Sequence, residues 1–236
     1  MFLLPVPAEK VPGHYLIMAT KKGIIKRTEL SEFTNLRKAG LIALVLREDD
    51  ELIRVALTDG SYELLLGTRN GMCIRFPESD MRPIGRNAMG VKSIELTGDD
   101  EVVDMCPVFE DMKVLSITEL GYGKLTEADE YRAQGRGGKG IKAMNLTDKT
   151  GRLTCQLLAH EAEDILLITD DGTVIRMPVS SISTLGRNTQ GVRLMRVSEG
   201  SKVVCVARAE AEEEEAPDEL DGGTVETTEN DGDEEI

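Results

Sequence analysis

Aromatic residues make up only 3% of this 236-residue chain, tryptophan is absent and there are two histidines. Few rings exclude a surface built to stack unpaired bases. The isolated His14 and His160 have no partner pattern that suggests a role. No apolar run approaches the roughly 18 residues needed to span a membrane. The start, Met1-Phe2-Leu3-Leu4-Pro5, is too short and lacks the basic beginning of a signal peptide. No membrane contact and a cytoplasmic setting are therefore expected. Cys73, Cys106, Cys155 and Cys205 form no C-x-x-C pair and have no neighbouring histidine, which argues against zinc or redox chemistry. They read as buried, reduced strand residues. No phosphate-binding ATP loop, catalytic triad or metal cluster is present, so the chain by itself is not expected to be an enzyme or to need a cofactor.

Positive charge is also missing from one place. Residues 209–236 hold 14 acids and no Lys or Arg, which leaves 29 acids and 28 bases in residues 1–208. The formal charge of -15 thus belongs almost wholly to the tail. Glu runs mixed with Gly, Thr and Pro cannot bury enough surface to offset ordering entropy, so a disordered acidic tail is expected over 209–236. Tethered near a basic surface, it would either compete there for an anionic ligand or simply keep the protein soluble. The nearly neutral body can still cluster its cations on one face.

What the body does have is repetition. Thr-x-x-Gly occurs at Thr20–Gly23, Thr68–Gly71, Thr118–Gly121 and Thr169–Gly172, with glycines 48, 50 and 51 residues apart. A second glycine recurs at Gly40, Gly90, Gly140 and Gly191, with steps of 50, 50 and 51. Two markers keeping one period indicate four copies of one unit. Each copy reads as two hairpins. The first turns at Lys21-Lys22-Gly23 and its equivalents, among which Asn70-Gly71 and Asp171-Gly172 are strong hairpin signals. A loop of about a dozen residues follows, then an alternating strand such as Val91–Leu96, a polar turn, and a closing strand such as Val102–Cys106. Four strands per copy of about 50 residues match one propeller blade. The fold expected is all-β, with blades at about 15–58, 62–108, 113–160 and 164–208. Residues 1–7 align with a closing strand, as though they ended a blade whose body is absent. Four blades can in principle close a ring.

The long loops carry the cations. Gln134-Gly135-Arg136-Gly137-Gly138-Lys139-Gly140 combines four glycines, two cations and one amide. Glycines let main-chain N–H groups turn toward an anion, and Arg136 can grip a phosphate with two donors. Gly137 and Gly138 would form the cradle beside Lys139; a flexible connector is the plainer reading of these residues alone. Equivalent cations precede the second glycine at Arg37 and Lys38, Arg86 and Arg187. Others end or follow the second strand: Lys26 and Arg27, Arg75, Lys124 and Arg176. A third set follows the second glycine, at Lys92, Lys142 and Arg193. Equivalent positions in a propeller share one rim, so a curved basic track is expected, interrupted by Glu29, Glu32, Glu78, Asp80, Glu127, Asp129 and Glu130. Such a track suits duplex DNA held by its phosphates and bent. Ordinary solvated cations, or a platform for protein partners, are the alternatives.

The repeated Thr-x-x-Gly elements, Gly121-Tyr122-Gly123-Lys124, the 134–140 loop and Gly186-Arg187-Asn188-Thr189-Gln190-Gly191-Val192 together resemble the C-terminal domain of DNA gyrase A. The resemblance covers residues 1–208. It implies a β-pinwheel of six blades that share strands, of which these would be the last four, with a rim that wraps duplex DNA and directs supercoiling by an ATP-dependent type II topoisomerase. The partners it implies are the rest of gyrase A and the ATPase component, gyrase B. The family box normally reads Gln-Arg-Arg-Gly-Gly-Lys/Arg-Gly in the first blade. Here Gly135 stands where an arginine is usual, and the loop lies in the third copy. The related domain of topoisomerase IV, whose boxes are degenerate, is the alternative within the family.

Overall fold

A computed structural model describes residues 12–33 and 40–211. The segments 1–11 and 212–236, which hold the expected first closing strand and nearly all of the acidic tail, lie outside the described residues.

Among the described residues, fifteen strands and four short 3-10 turns make an all-β fold. In chain order the strands are β1 (Tyr15–Thr20), β2 (Ile24–Glu29), β3 (Leu52–Thr58), β4 (Glu63–Thr68), β5 (Met72–Pro77), β6 (Val91–Lys92), β7 (Val102–Val108) and β8 (Lys113–Thr118). They continue with β9 (Tyr122–Glu127), β10 (Ile141–Lys142), β11 (Leu153–Ala159), β12 (Glu163–Thr169), β13 (Val174–Pro178), β14 (Val192–Arg193) and β15 (Val203–Glu210). They form four sheets, ordered β3-β1-β2-β6, β7-β4-β5-β10, β11-β8-β9-β14 and β15-β12-β13. These are four consecutive propeller blades. The last strand reaches Glu210, with Ala209 opposite Asp164, so order continues past the boundary expected at 208.

The expectation of two hairpins per copy needs correction. The first hairpin forms as expected, for example β1 with β2. The strand after the second glycine does not pair within its own copy. It crosses to the preceding blade: β6 pairs with β2, β10 with β5 and β14 with β9. It is also only two residues long, rather than the six of Val91–Leu96. Each of the first three blades thus borrows its outermost strand from the copy that follows.

This exchange explains why both glycines recur. A Cβ on Gly90, Gly140 or Gly191 would meet a backbone oxygen of the acceptor strand, at 2.6, 2.2 and 2.5 Å. All three have positive φ, so they fit both the turn and the close approach. The Thr-x-x-Gly threonine has its own task. Its hydroxyl accepts the N–H four residues on, from Ile24, Met72 and Tyr122, which closes the hairpin turn. Gly140→Ala should cost about 2 kcal/mol, because overpacking against Cys73 adds to the left-handed strain. Gly40→Ala should cost about 1 kcal/mol, since its φ is similar but nothing among the described residues lies within 4 Å of an added Cβ. Urea denaturation midpoints of the two variants check the difference.

The core lies between blades. Ile17, Ile25, Leu64, Leu66 and Phe76 fill the space between the first two sheets. Leu65, Val114 and Leu158 fill the next, and Leu115, Ile117, Leu157 and Ile165 the third. Strand β4, buried on both faces, accordingly reads as an unbroken Leu64-Leu65-Leu66. The closing strands β3, β7, β11 and β15 touch one another in succession, which puts them on the inner side and the borrowed strands on the outer one. Polar ties join the inner strands. Buried Asp104 accepts from Arg54 of the preceding blade and from Cys155 Sγ of the following one. Burial pushes its carboxyl above the ordinary range against the pull of Arg54. Cys73 and Cys155 are buried as expected, and burial pushes the Cys73 thiol up to about 12. Cys205 departs from expectation: it is exposed, because no further blade packs on β15 among the described residues.

Candidate nucleic-acid interface

The long loops meet the outer edges of the blades, and there the cations separate into two groups. Those on the second strands of the first three blades face inward. Lys26 and Lys124 are each fully buried. Lys26 Nζ donates to the Ala43 and Arg86 carbonyls. Lys124 Nζ donates to the Gly186 and Arg187 carbonyls at 2.7 and 2.6 Å and to Thr189 Oγ1 at 3.3 Å. Three acceptors match the three donors of an ammonium. Each lysine therefore latches the loop of the next copy onto the blade before it. Burial, with the nearby Arg187 charge, pulls the Lys124 pKa down to about 8 even though Glu130 opposes the shift.

Arg27 and Arg75 are engaged in the same inward way, whereas Arg176 is exposed on the edge strand β13 and is held by ion pairing. Arg27 reaches the Glu78 and Met81 carbonyls and lies 3.7 Å from the centre of the Tyr15 ring. Arg75 holds Glu63 and the Ala128 and Tyr131 carbonyls. Arg176 holds Asp164 and the Glu210 carbonyl. The expectation of a phosphate role is corrected for Lys26, Arg27 and Lys124, which are buried. Alternation along β2 sends Lys26 and Arg27 to opposite faces of the blade, and both faces are covered.

The loop arginines behave differently. Arg86 donates Nη1 to the Ile42 carbonyl, Arg136 to that of Lys92 and Arg187 to that of Lys142. The acceptors are themselves equivalent, two residues past Gly40, Gly90 and Gly140. Each loop arginine therefore rests on the segment that follows the second glycine of the copy before it, and the three guanidinium groups follow one another along one outer rim. Arg136 Nη2 has no partner among the described residues, so half of its planar fork remains for a ligand. Lys139 and Lys142 are exposed beside it. Arg37 and Lys38 lie outside the described residues.

Within the 134–140 loop, Gly137 and Gly140 take positive φ, at 82° and 73°; Gly135 and Gly138 do not. The expected cradle is in part occupied, because the Gly137 N–H donates to the Ser93 carbonyl and the Gly138 carbonyl accepts from Glu95. Among the described residues no carboxylate accepts from the backbone of this loop. In the following loop one does: Glu130 takes the Arg187 N–H at 2.9 Å. The expected acidic interruptions are reduced by one, since Glu78 is fully buried. Sequence reasoning passed over Arg82 and Arg132, equivalent exposed cations eight residues before the second glycine. Their spacing was the available signal. No group of residues with metal-ligand composition occurs among the described residues.

The family model described as "DNA gyrase C-terminal domain, beta-propeller" matches residues 14–59, 62–108, 113–154 and 163–209. The chain belongs to this family. DNA gyrase A of Staphylococcus aureus (strain NCTC 8325 / PS 47) is 44% identical over 216 residues, covering 90% of this chain and 24% of that protein. Its Staphylococcus epidermidis counterpart is 46% identical over 202 residues, covering 85% and 23%. The chain thus spans about a quarter of the length of these relatives. Among solved structures, the C-terminal domain of DNA topoisomerase IV superposes with a TM-score of 0.81 at 26% identity, covering 86% of this chain and 64% of that one. The DNA gyrase A C-terminal domain gives 0.77 at 23% identity, over 86% and 68%. The expectation of a β-pinwheel from the gyrase A C-terminal family is borne out, including blades that share strands.

Proposed function

We propose that this chain is the non-catalytic DNA-binding part of a gyrase A protein. In this reading it holds duplex DNA by its phosphates along the outer rim and bends it, so that supercoiling by the complete ATP-dependent enzyme acquires a direction. The observation that supports it best is the succession of Arg86, Arg136 and Arg187, each seated on the segment after the second glycine of the preceding copy. A repeated cation on a curved edge can follow a phosphate backbone without reading bases. Arg86, Arg136, Lys139, Lys142 and Arg187 are the proposed contacts, joined by Lys92 and Arg193 at positions equivalent to Lys142. The rest of gyrase A and the ATPase component, gyrase B, are the proposed protein partners, in a cytoplasmic, nucleoid-associated setting. The topoisomerase IV likeness at 26% identity supports a second reading, the equivalent part of that enzyme, with the same rim and the same ligand.

The test is salt dependence. Arg136→Ala combined with Lys139→Ala should weaken duplex binding and flatten the slope of log affinity against log salt by about 2, one for each phosphate no longer neutralised. Fluorescence anisotropy with linear duplex across a salt series measures this. An unchanged slope would reject the rim as the binding surface, and no binding at low salt would favour a platform for protein partners.

A further inference from the structure

The loop that joins one blade to the next differs in one copy. The first residue after the closing strand is Asp59 after β3 and His160 after β11, but Phe109 after β7. A phenylalanine thus stands where the other copies place a polar group. It is 40% exposed, and it is the one exposed aromatic residue among those described. Its ring meets Tyr62 edge-on, with centres 5.0 Å apart and planes at 64°.

The two rings stand in a groove of about 1160 Å³ between the second and third blades. Both blades have their full four strands, so the groove is no product of a chain end. Its floor is apolar: Val108, Met112 and Ala128 line it and pack on the core between these blades. Its walls are acidic, with six carboxylates against two cations. Both cations are already paired, Arg75 with Glu63 at 2.5 Å and Lys113 with Glu161 at 2.7 Å. Glu110 and Asp111, next to Phe109 in the chain, are exposed and have no cationic partner among the described residues.

We propose that this groove docks a segment of a partner protein in which basic residues flank an apolar side chain. The apolar side chain would enter beside Phe109, since binding energy concentrates at aromatic anchors over a packed floor. The flanking Lys or Arg would meet Glu110 and Asp111, whose charge is not yet balanced. The same charge excludes two other occupants. Duplex DNA is repelled, and so is segment 209–236 of this chain, which holds 14 acids and no Lys or Arg. None of Arg86, Arg136 and Arg187 lines the groove, so docking here is independent of whether the rim holds DNA.

Fluorescence anisotropy on the full chain tests this with a labelled probe peptide, Lys-Lys-Leu-Phe-Lys-Lys. One control peptide has Ala-Ala in place of Leu-Phe, and another has Glu in place of every Lys. The probe should bind, the alanine control at least about tenfold more weakly and the glutamate control not at all. Phe109→Ala should weaken the probe about tenfold, as truncation of an aromatic anchor does. Glu110→Gln with Asp111→Asn should weaken it about fivefold at low salt and less at high salt. Position 111 has φ of 64°, which asparagine accepts, so this second variant keeps the loop even where Phe109→Ala disturbs it. No binding of the probe at low salt, equal binding of the alanine control, or unchanged affinity in the carboxamide variant would overturn the proposal. So would binding that survives Phe109→Ala, because the peptide would then sit on the acidic tail.

Discussion

Glu78→Ala should destabilise the fold by about 3–5 kcal/mol, the usual cost of breaking a buried charged pair by removing one partner. The carboxylate is fully buried at the seam between the first two blades. One oxygen accepts the Gly60 and Tyr62 N–H groups, each at 3.0 Å, and the other accepts the Thr58 hydroxyl at 2.7 Å. Arg27 lies 3.7 Å away as the counter-ion. Alanine leaves two half-buried amides without their acceptor and a buried guanidinium without its counter-ion. For a domain of this size the melting temperature should fall by about 10 °C, read by differential scanning calorimetry. Glu78→Gln should lose about half as much, because an amide oxygen can still take both N–H groups. The equivalent positions are Leu30, Ala128 and Val179, so Glu78→Leu tests whether apolar filling suffices. It should not, since the Gly60 and Tyr62 amides would remain unpaired.

Glu78 also marks what could be read from the chain beforehand. The two glycine periods give the number of blades, their boundaries and the all-β class, because a glycine forced by close backbone approach cannot be replaced without cost. The same periods are silent on which sheet a strand joins. Val91-Lys92 has the same alternation whether it pairs with β7 in its own copy or with β2 in the preceding one, and only three-dimensional closeness decides. The inward cations were misread for a related reason. Lys26 next to Arg27 looks like a basic surface, yet neighbouring strand residues point to opposite faces. Only the packing of the next blade shows that both faces are covered. Glu78 looked like a solvated loop acid because its three buried hydrogen bonds come from Thr58, Gly60 and Tyr62, all outside the 3-10 turn that carries it. The equivalent placement of the rim arginines was legible, since they recur at matching positions in successive copies.

The double variant Lys26→Met, Lys124→Met should lose about 5 kcal/mol, and it separates latches from phosphate-binding groups. Each lysine is a charged donor to main-chain carbonyls of a neighbouring loop, and loss of such bonds costs roughly 1.5–3 kcal/mol at each site. The two sites lie in separate blades, so the losses should add. Methionine keeps the apolar stem and removes the desolvation cost of the charge, which holds each loss near the middle of that range. If these residues are latches, the slope of DNA affinity against salt should stay as in the unaltered chain under conditions where the variant is folded. A slope lowered as in the Arg136 and Lys139 variant would show instead that the ammonium groups reach phosphates. The pH dependence gives an independent check at Lys124. Its pKa falls from 10.5 to about 8 in the folded chain, so between those values the unfolded chain holds a proton that the folded chain has released. Stability from this residue therefore rises with pH across that window. The difference in stability between the unaltered chain and Lys124→Met should widen from pH 7 to pH 10 in denaturant titrations, and a difference independent of pH would place the ammonium in water rather than under the Gly186 loop.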